Sequence, residues 1–217
     1  MKRNYQIDKT AQVNVQDLIK QIAFHEAGHA AGIYLCNKQK QLPSLSFQIS
    51  QTFDSLFTLA DSVVDNYFVA SVEGGYLIDN VPHAVIESAE YFAEGSADAY
   101  QMAFEADMIN LLVGALAEAK YVSLREGSAF DEQTADMSLW QFYGGTSDWV
   151  KVHDYLEHFI ACRQHREKTM LELLVKASAV VSNDHNWQAI ERLALYILNC
   201  KASIISCEEA IEVLDNA

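Results

Sequence analysis

The chain has 217 residues, half of them hydrophobic and only two of them proline, with a formal net charge of -15. That length fits one large domain with a sizeable core, while the excess of acid argues against nucleic acid or an anionic membrane surface as partner. No apolar run approaches the ~18 residues that a bilayer span requires. Cys36, Cys162, Cys200 and Cys207 show no CxxC spacing, and with no signal peptide in view they read as reduced, mostly buried thiols of a cytoplasmic protein.

Residues 1–13 are polar and expected to fray. Asn14 and Asp17 resemble a helix start. Val15, Leu18, Ile19, Ile22, Ile33 and Leu35 then recur at helical spacing to about Cys36, with Asn37 and Lys38 as the ending. Inside that helix stands His25-Glu26-Ala27-Gly28-His29, the HExxH pattern of zinc hydrolases. Residues four apart share a helix face, so both imidazoles reach a single metal. Glu26 lies on a neighbouring face, outside that ligand pair but within reach of a water on the metal. Bound Zn²⁺ lowers the pKa of such a water to roughly 7, and a carboxylate beside it takes the proton as it attacks a carbonyl.

Pro43 opens a more extended section. Leu45, Phe47 and Ile49 alternate with Ser46, Gln48 and Ser50, which predicts a half-buried strand. Residues 67–72 and 76–81 flank Glu73-Gly74-Gly75 and predict a hairpin, while 52–64 fit helix or loop. Helical periodicity covers roughly 84–122, interrupted near Glu94-Gly95-Ser96, and a loop rich in Gly, Ser and Asp follows at 126–136. Gly144-Gly145-Thr146-Ser147 leads into a helix with Asp148, Val152, Tyr155, Leu156 and Phe159. A further helix is expected near 166–181, a break at Asn183-Asp184-His185-Asn186, and a helix at about 187–200. Ser206 with Glu209 forms a capping-box start for a last helix at about 207–215. There is no internal repeat. The expected fold class is mainly α (α+β): a metal helix, a small sheet inserted after it, and a C-terminal helical bundle.

A catalytic zinc normally takes three protein ligands and keeps one position open. Asp148 is one candidate, because the glycines before it allow close backbone approach and Thr146 or Ser147 can cap the helix; an ordinary first-turn Asp favoured by the helix dipole fits equally. Glu94 is another. Glu94-Gly95-Ser96-Ala97-Asp98 resembles the third-ligand helix of gluzincins, where Glu binds zinc and Asp supports a histidine. His153, His158 and His165 form a third group, but Glu157, Arg163, Gln164 and Arg166 around them suit a solvated face. His83 and His185 have no partner in sequence.

Four strings, taken in order, resemble the peptidase domain of the FtsH-type membrane-bound ATP-dependent zinc proteases. They are HEAGHA at 25–30, Leu111-Leu112-Val113-Gly114-Ala115-Leu116-Ala117-Glu118, Gly144-Gly145-Thr146-Ser147-Asp148, and a tail with Glu191-Arg192-Leu193-Ala194 and Ser206-Cys207-Glu208-Glu209-Ala210-Ile211. The string at 111–118 is similar to that family's LLGGRAAE helix, and the one at 144–148 to its GASND loop. The resemblance implies a single helical zinc-metallopeptidase domain over 1–217, with a catalytic part at 14–165 and a helical part at 166–217. It implies Zn²⁺ held by His25, His29 and Asp148, with Glu26 as general base, and a small sheet beside the cleft to which an extended peptide adds as a strand.

The chain also departs from that pattern. Val113, Ala115 and Leu116 replace Gly, Arg and Ala, which would alter packing or subunit contacts on that face, and extra material within 50–100 is of a size to form a lid. No GxxxxGK[ST] loop and no membrane helix occur. The expected function is therefore a zinc-dependent endopeptidase acting on peptides or unfolded protein segments without its own ATPase. Alternatives are a peptidase-like binding or assembly module, and a gluzincin-like hydrolase using Glu94. A homo-oligomer, or association with a full-length ATP-dependent relative, would be the partner state.

Overall fold

Every residue from 22 to 33 is buried, so the helix that carries the histidine pair runs through the middle of the molecule. The structure, a computed structural model, describes residues 15–53, 68–78, 96–128, 130 and 146–216. Helix α1 (Val15–Ala31) passes into a π-helical turn (Gly32–Cys36) and a last turn (Asn37–Gln39), which carries it past the expected stop. Gln41, at φ 56°, then reverses the chain. Helix α2 (Ser96–Arg125) lies antiparallel against α1. Phe24 stacks on Tyr121 with ring centroids 4.2 Å apart. A Cβ on Gly28 would stand 2.7 Å from the Ala117 Cβ, so glycine there is what lets the two helices close.

Three strands form an antiparallel sheet in the order β2-β1-β3: β1 (Phe47–Phe53), β2 (Phe68–Gly74) and β3 (Ile204–Ile205). Phe47, Ile49 and Gln51 face inward and alternate with more exposed neighbours, the pattern expected for β1, although the strand starts two residues later and ends four residues later than 45–49. Gln51 also donates its side-chain amide to the carbonyls of Cys200 (3.0 Å) and Ala202 (2.7 Å), which secures the approach to β3.

Of the hairpin expected from 67–72 and 76–81, residues 67 and 79–81 lie outside the described residues, and the described part, 76–78, is not strand. β2 pairs with β1, Phe47 opposite Gly74 and Phe53 opposite Phe68. Gly74 and Gly75 take left-handed conformations at φ 88° and 80° and turn the chain away. The amides of Leu77 and Ile78 then donate to the buried carboxylate of Asp107 on α2, at 2.9–3.0 Å, instead of to a strand. Asp107→Ala is expected to lower stability by about 2–5 kcal/mol, since it strands buried amides that had a charged acceptor; a urea unfolding midpoint unchanged from wild type would refute that role.

Helices α3 (Thr146–Phe159), α4 (Arg163–Ser182), α5 (Asp184–Asn199) and α6 (Cys207–Asp215) complete the chain. The expected break at 183–186 is one residue, Asn183. Its side chain accepts from the Asn186 N–H, so the next helix starts at once. The capping box of Ser206 and Glu209 forms with both bonds. Ile190, Leu193, Ala194 and Ile197 of α5 join α1, α2, the sheet and α6 in one continuous core. Val113, Ala115 and Leu116 lie inside it, at 0–3% exposure, so that face packs within the chain. The cysteines are free, but Cys36 alone is buried; Cys162 is exposed and Cys200 and Cys207 are half-buried. Burial pushes the Cys36 thiol up to about 11. No helix among the described residues is long and apolar enough to cross a membrane.

Candidate metal centre

His25 and His29 point from α1 into the angle between α2 and α3, where Asp148, in the first turn of α3, meets them. One ligand atom from each residue lies within 4.8 Å of the others. His25 Nε2 is 3.0 Å from His29 Nε2 and 3.2 Å from Asp148 Oδ2, and His29 Nε2 is 3.3 Å from the same oxygen. Tetrahedral ligands at zinc bond lengths stand about 3.3 Å apart, so the triangle has the size of a metal face.

The opposite ring nitrogens decide which atoms carry protons. His25 Nδ1 is 3.1 Å from Glu118 Oε2, and His29 Nδ1 is 2.8 Å from the Asn110 carbonyl oxygen. Both partners are acceptors, so both Nδ1 atoms hold hydrogen, and in the neutral rings that bind metal both Nε2 atoms present lone pairs. Two lone pairs and a carboxylate oxygen therefore converge on one point. His25, Glu26, His29, Glu118 and Asp148 are each 0% exposed, and Asp148 Oδ1 and Glu26 Oε1 have no hydrogen-bond partner among the described residues. Buried carboxylates in this number require a compensating cation. A divalent ion fits the donor set.

The metal-free electrostatics lead to the same need for positive charge. Burial alone would lower the His25 pKa, but hydrogen bonds to Asp148 and Glu118, with the charges of Glu26 and Glu118, outweigh it and hold the ring up at about 9. Burial likewise works to raise Asp148, yet the charge of His29 and the hydrogen bonds from both histidines keep it well below the usual carboxylate range. For Glu26, burial wins and raises the carboxyl, opposed by the two histidines. A histidine whose folded pKa exceeds its ordinary 6.5 adds stability below that value and loses it as pH rises through the folded one. The metal-free protein should thus lose stability between pH 6.5 and about 9, a loss that thermal melts with and without metal would separate, because metal binding needs the deprotonated ring and strengthens with pH.

Glu26 follows His25 on α1 but does not point to the ligand triangle with both oxygens: its Oε2 accepts the Val72 N–H of β2 at 2.8 Å. The residues that position the histidines had no role assigned from sequence. Asn110, Gly114 and Glu118 recur every four residues on α2, matching the His25–His29 spacing on the antiparallel helix. A Cβ at Gly114 would lie 2.3 Å from His29 Nε2, so glycine there makes room for the ring. Glu118→Ala is expected to weaken metal binding about 10- to 100-fold, with a smaller loss for Glu118→Gln, which keeps an acceptor; competition with a chromophoric chelator reads both.

The remaining candidates lie elsewhere. His158 is exposed and bonds the Asp154 carbonyl, His165 and His185 are exposed, and His153 rests against the Trp149 ring. Glu94 and His83 are outside the described residues, as is most of the 50–100 insertion. No family model matches the chain, and neither the curated proteins nor the solved structures contain a match to it.

Proposed function

We propose that the chain is a zinc-dependent hydrolase, an endopeptidase that cuts peptides or unfolded protein segments. The observation that carries this reading is the convergence of His25 Nε2, His29 Nε2 and Asp148 Oδ2, with the two rings held by Glu118 and the Asn110 carbonyl, beside a buried glutamate one residue from the first histidine. When bound, the metal supplies a Lewis acid and an activated water. Glu118 and the Asn110 carbonyl orient the rings so that both Nε2 lone pairs face inward. Glu26 takes a proton from the water attacking the scissile carbonyl and returns it to the departing amine. The surrounding α1, α2 and α3 exclude bulk water, which strengthens each of these interactions. The ordered resemblance to FtsH-type peptidase domains supports the peptide as substrate class, and with it a cytoplasmic chain that meets its substrates already unfolded, alone, as a homo-oligomer or with an ATP-dependent relative.

A second reading, a peptidase-like binding or assembly module, is favoured by the complete burial of the site and by the tie between Glu26 and Val72. Metal content of the purified chain, with cleavage of a denatured-protein pool before and after chelation, separates the two. Endopeptidase action requires turnover that chelator abolishes and zinc restores. A zinc-loaded protein that leaves the pool intact supports the binding module. A two-histidine, one-carboxylate set also accepts iron(II), and the same metal analysis distinguishes it.

A further inference from the structure

Among the described residues β2 is an outer strand, and hydrogen-bond parity decides which of its groups face off the sheet. The Gly75 N–H donates to the Ser46 carbonyl at 3.1 Å. With Phe47 opposite Gly74, this makes 48/73 and 50/71 bonded pairs and leaves 49/72 as the pair between them. Ile49 accordingly turns to β3, and the Val72 N–H points outward on the other side. That edge is where a further extended segment would add. At Val72 it is already engaged, because this N–H donates to Glu26 Oε2 at 2.8 Å, between two fully buried residues.

We propose that the Val72–Glu26 hydrogen bond is a latch: an extended peptide whose own carbonyl takes over the Val72 N–H releases Glu26 as it docks. The inference rests on the hydrolase reading and deepens it. The occupant is recognised by its backbone, and docking and release of the base are one exchange of hydrogen bonds. In the latched arrangement the three ligand residues and Glu26 are inaccessible to solvent, so anything that reaches them waits for an opening. Glu26 is the group that ties the strand edge to the metal helix.

Metal escape reads the latch without any substrate. The whole chain is loaded with zinc, challenged with excess EDTA, and the rate of zinc loss is followed. Val72→Pro removes this one donor at an outer-strand position where the N–H takes no part in the ladder. Glu26→Ala removes the acceptor, and Glu26→Gln keeps an acceptor while losing the same charge. Zinc loss is expected to quicken roughly tenfold or more in Val72→Pro and Glu26→Ala and to stay near wild type in Glu26→Gln. Amide exchange at Val72 should quicken in Glu26→Ala and not in Glu26→Gln, which keeps the test decisive if the proline variant does not fold. A wild-type chain that holds no metal overturns the hydrolase reading together with the latch. A chain that holds zinc and releases it at one rate in wild type and every variant overturns the latch alone.

Discussion

Asp148→Ala is expected to leave the purified protein without tightly held metal, whereas Glu94→Ala leaves it loaded. Asp148 is the one carboxylate that the described residues bring to both histidine Nε2 atoms, at 3.2 and 3.3 Å. Its loss leaves two imidazoles, short of the three protein ligands a catalytic zinc needs. The effect should exceed the about 10- to 100-fold loss that follows removal of a supporting residue such as Glu118. Asp148→Ala also deletes a buried charge that pairs with His25, so the variant needs a circular dichroism check that the helices persist. Elemental analysis of wild type and both variants, purified in parallel, gives the answer. If the Glu94 change empties the site and the Asp148 change does not, the ligand set is wrong and the gluzincin-like alternative gains.

The site was legible in the sequence only where its information is local. The four-residue spacing of His25 and His29 places two ligands on one helix face, and the Ser206–Glu209 capping box sets a helix start; both follow from a few consecutive residues. Asp148 is 123 positions from His25 and Glu118 is 93, so no periodicity links them, and only the ordered resemblance favours Asp148 over Glu94. Glu118, Gly114 and Asn110 do carry a signal, since their spacing of four mirrors the histidine pair, but it becomes readable once α1 and α2 are known to be antiparallel. The path of the described residues after β2 has a similar cause. Glu73-Gly74-Gly75 is a sound local turn, yet where the chain goes next is decided by Asp107, about 30 positions away, and no local pattern encodes that. β3, at two residues, is too short for any alternation to show.

Glu26→Gln is expected to lower the cleavage rate by about 10²- to 10⁴-fold, the range set by loss of a general base, while metal content stays at the wild-type level. The substitution is nearly isosteric, and its amide oxygen can still accept the Val72 N–H that Glu26 accepts at 2.8 Å, so α1 and β2 keep their contact. His25, His29, Asp148, Glu118 and the Asn110 carbonyl are untouched. What disappears is the ability to take a proton, since an amide at that position is not a base near neutral pH. Burial raises the Glu26 carboxyl from its ordinary value against the lowering effect of the two histidines. That direction belongs to the metal-free site; a bound cation would favour the carboxylate, the form that takes a proton, and the glutamine has no such form. Rates should be measured under single-turnover conditions on an unfolded-protein or peptide pool, with zinc determined on the same samples, so that lost metal is not mistaken for lost chemistry. Equal rates in fully loaded wild type and Glu26→Gln would show that the carboxylate takes no part in cleavage. If neither loaded protein cuts the pool, the Val72–Glu26 bond is a structural tie, and the buried triangle of His25, His29 and Asp148 is a metal centre that holds the fold for capture of a partner.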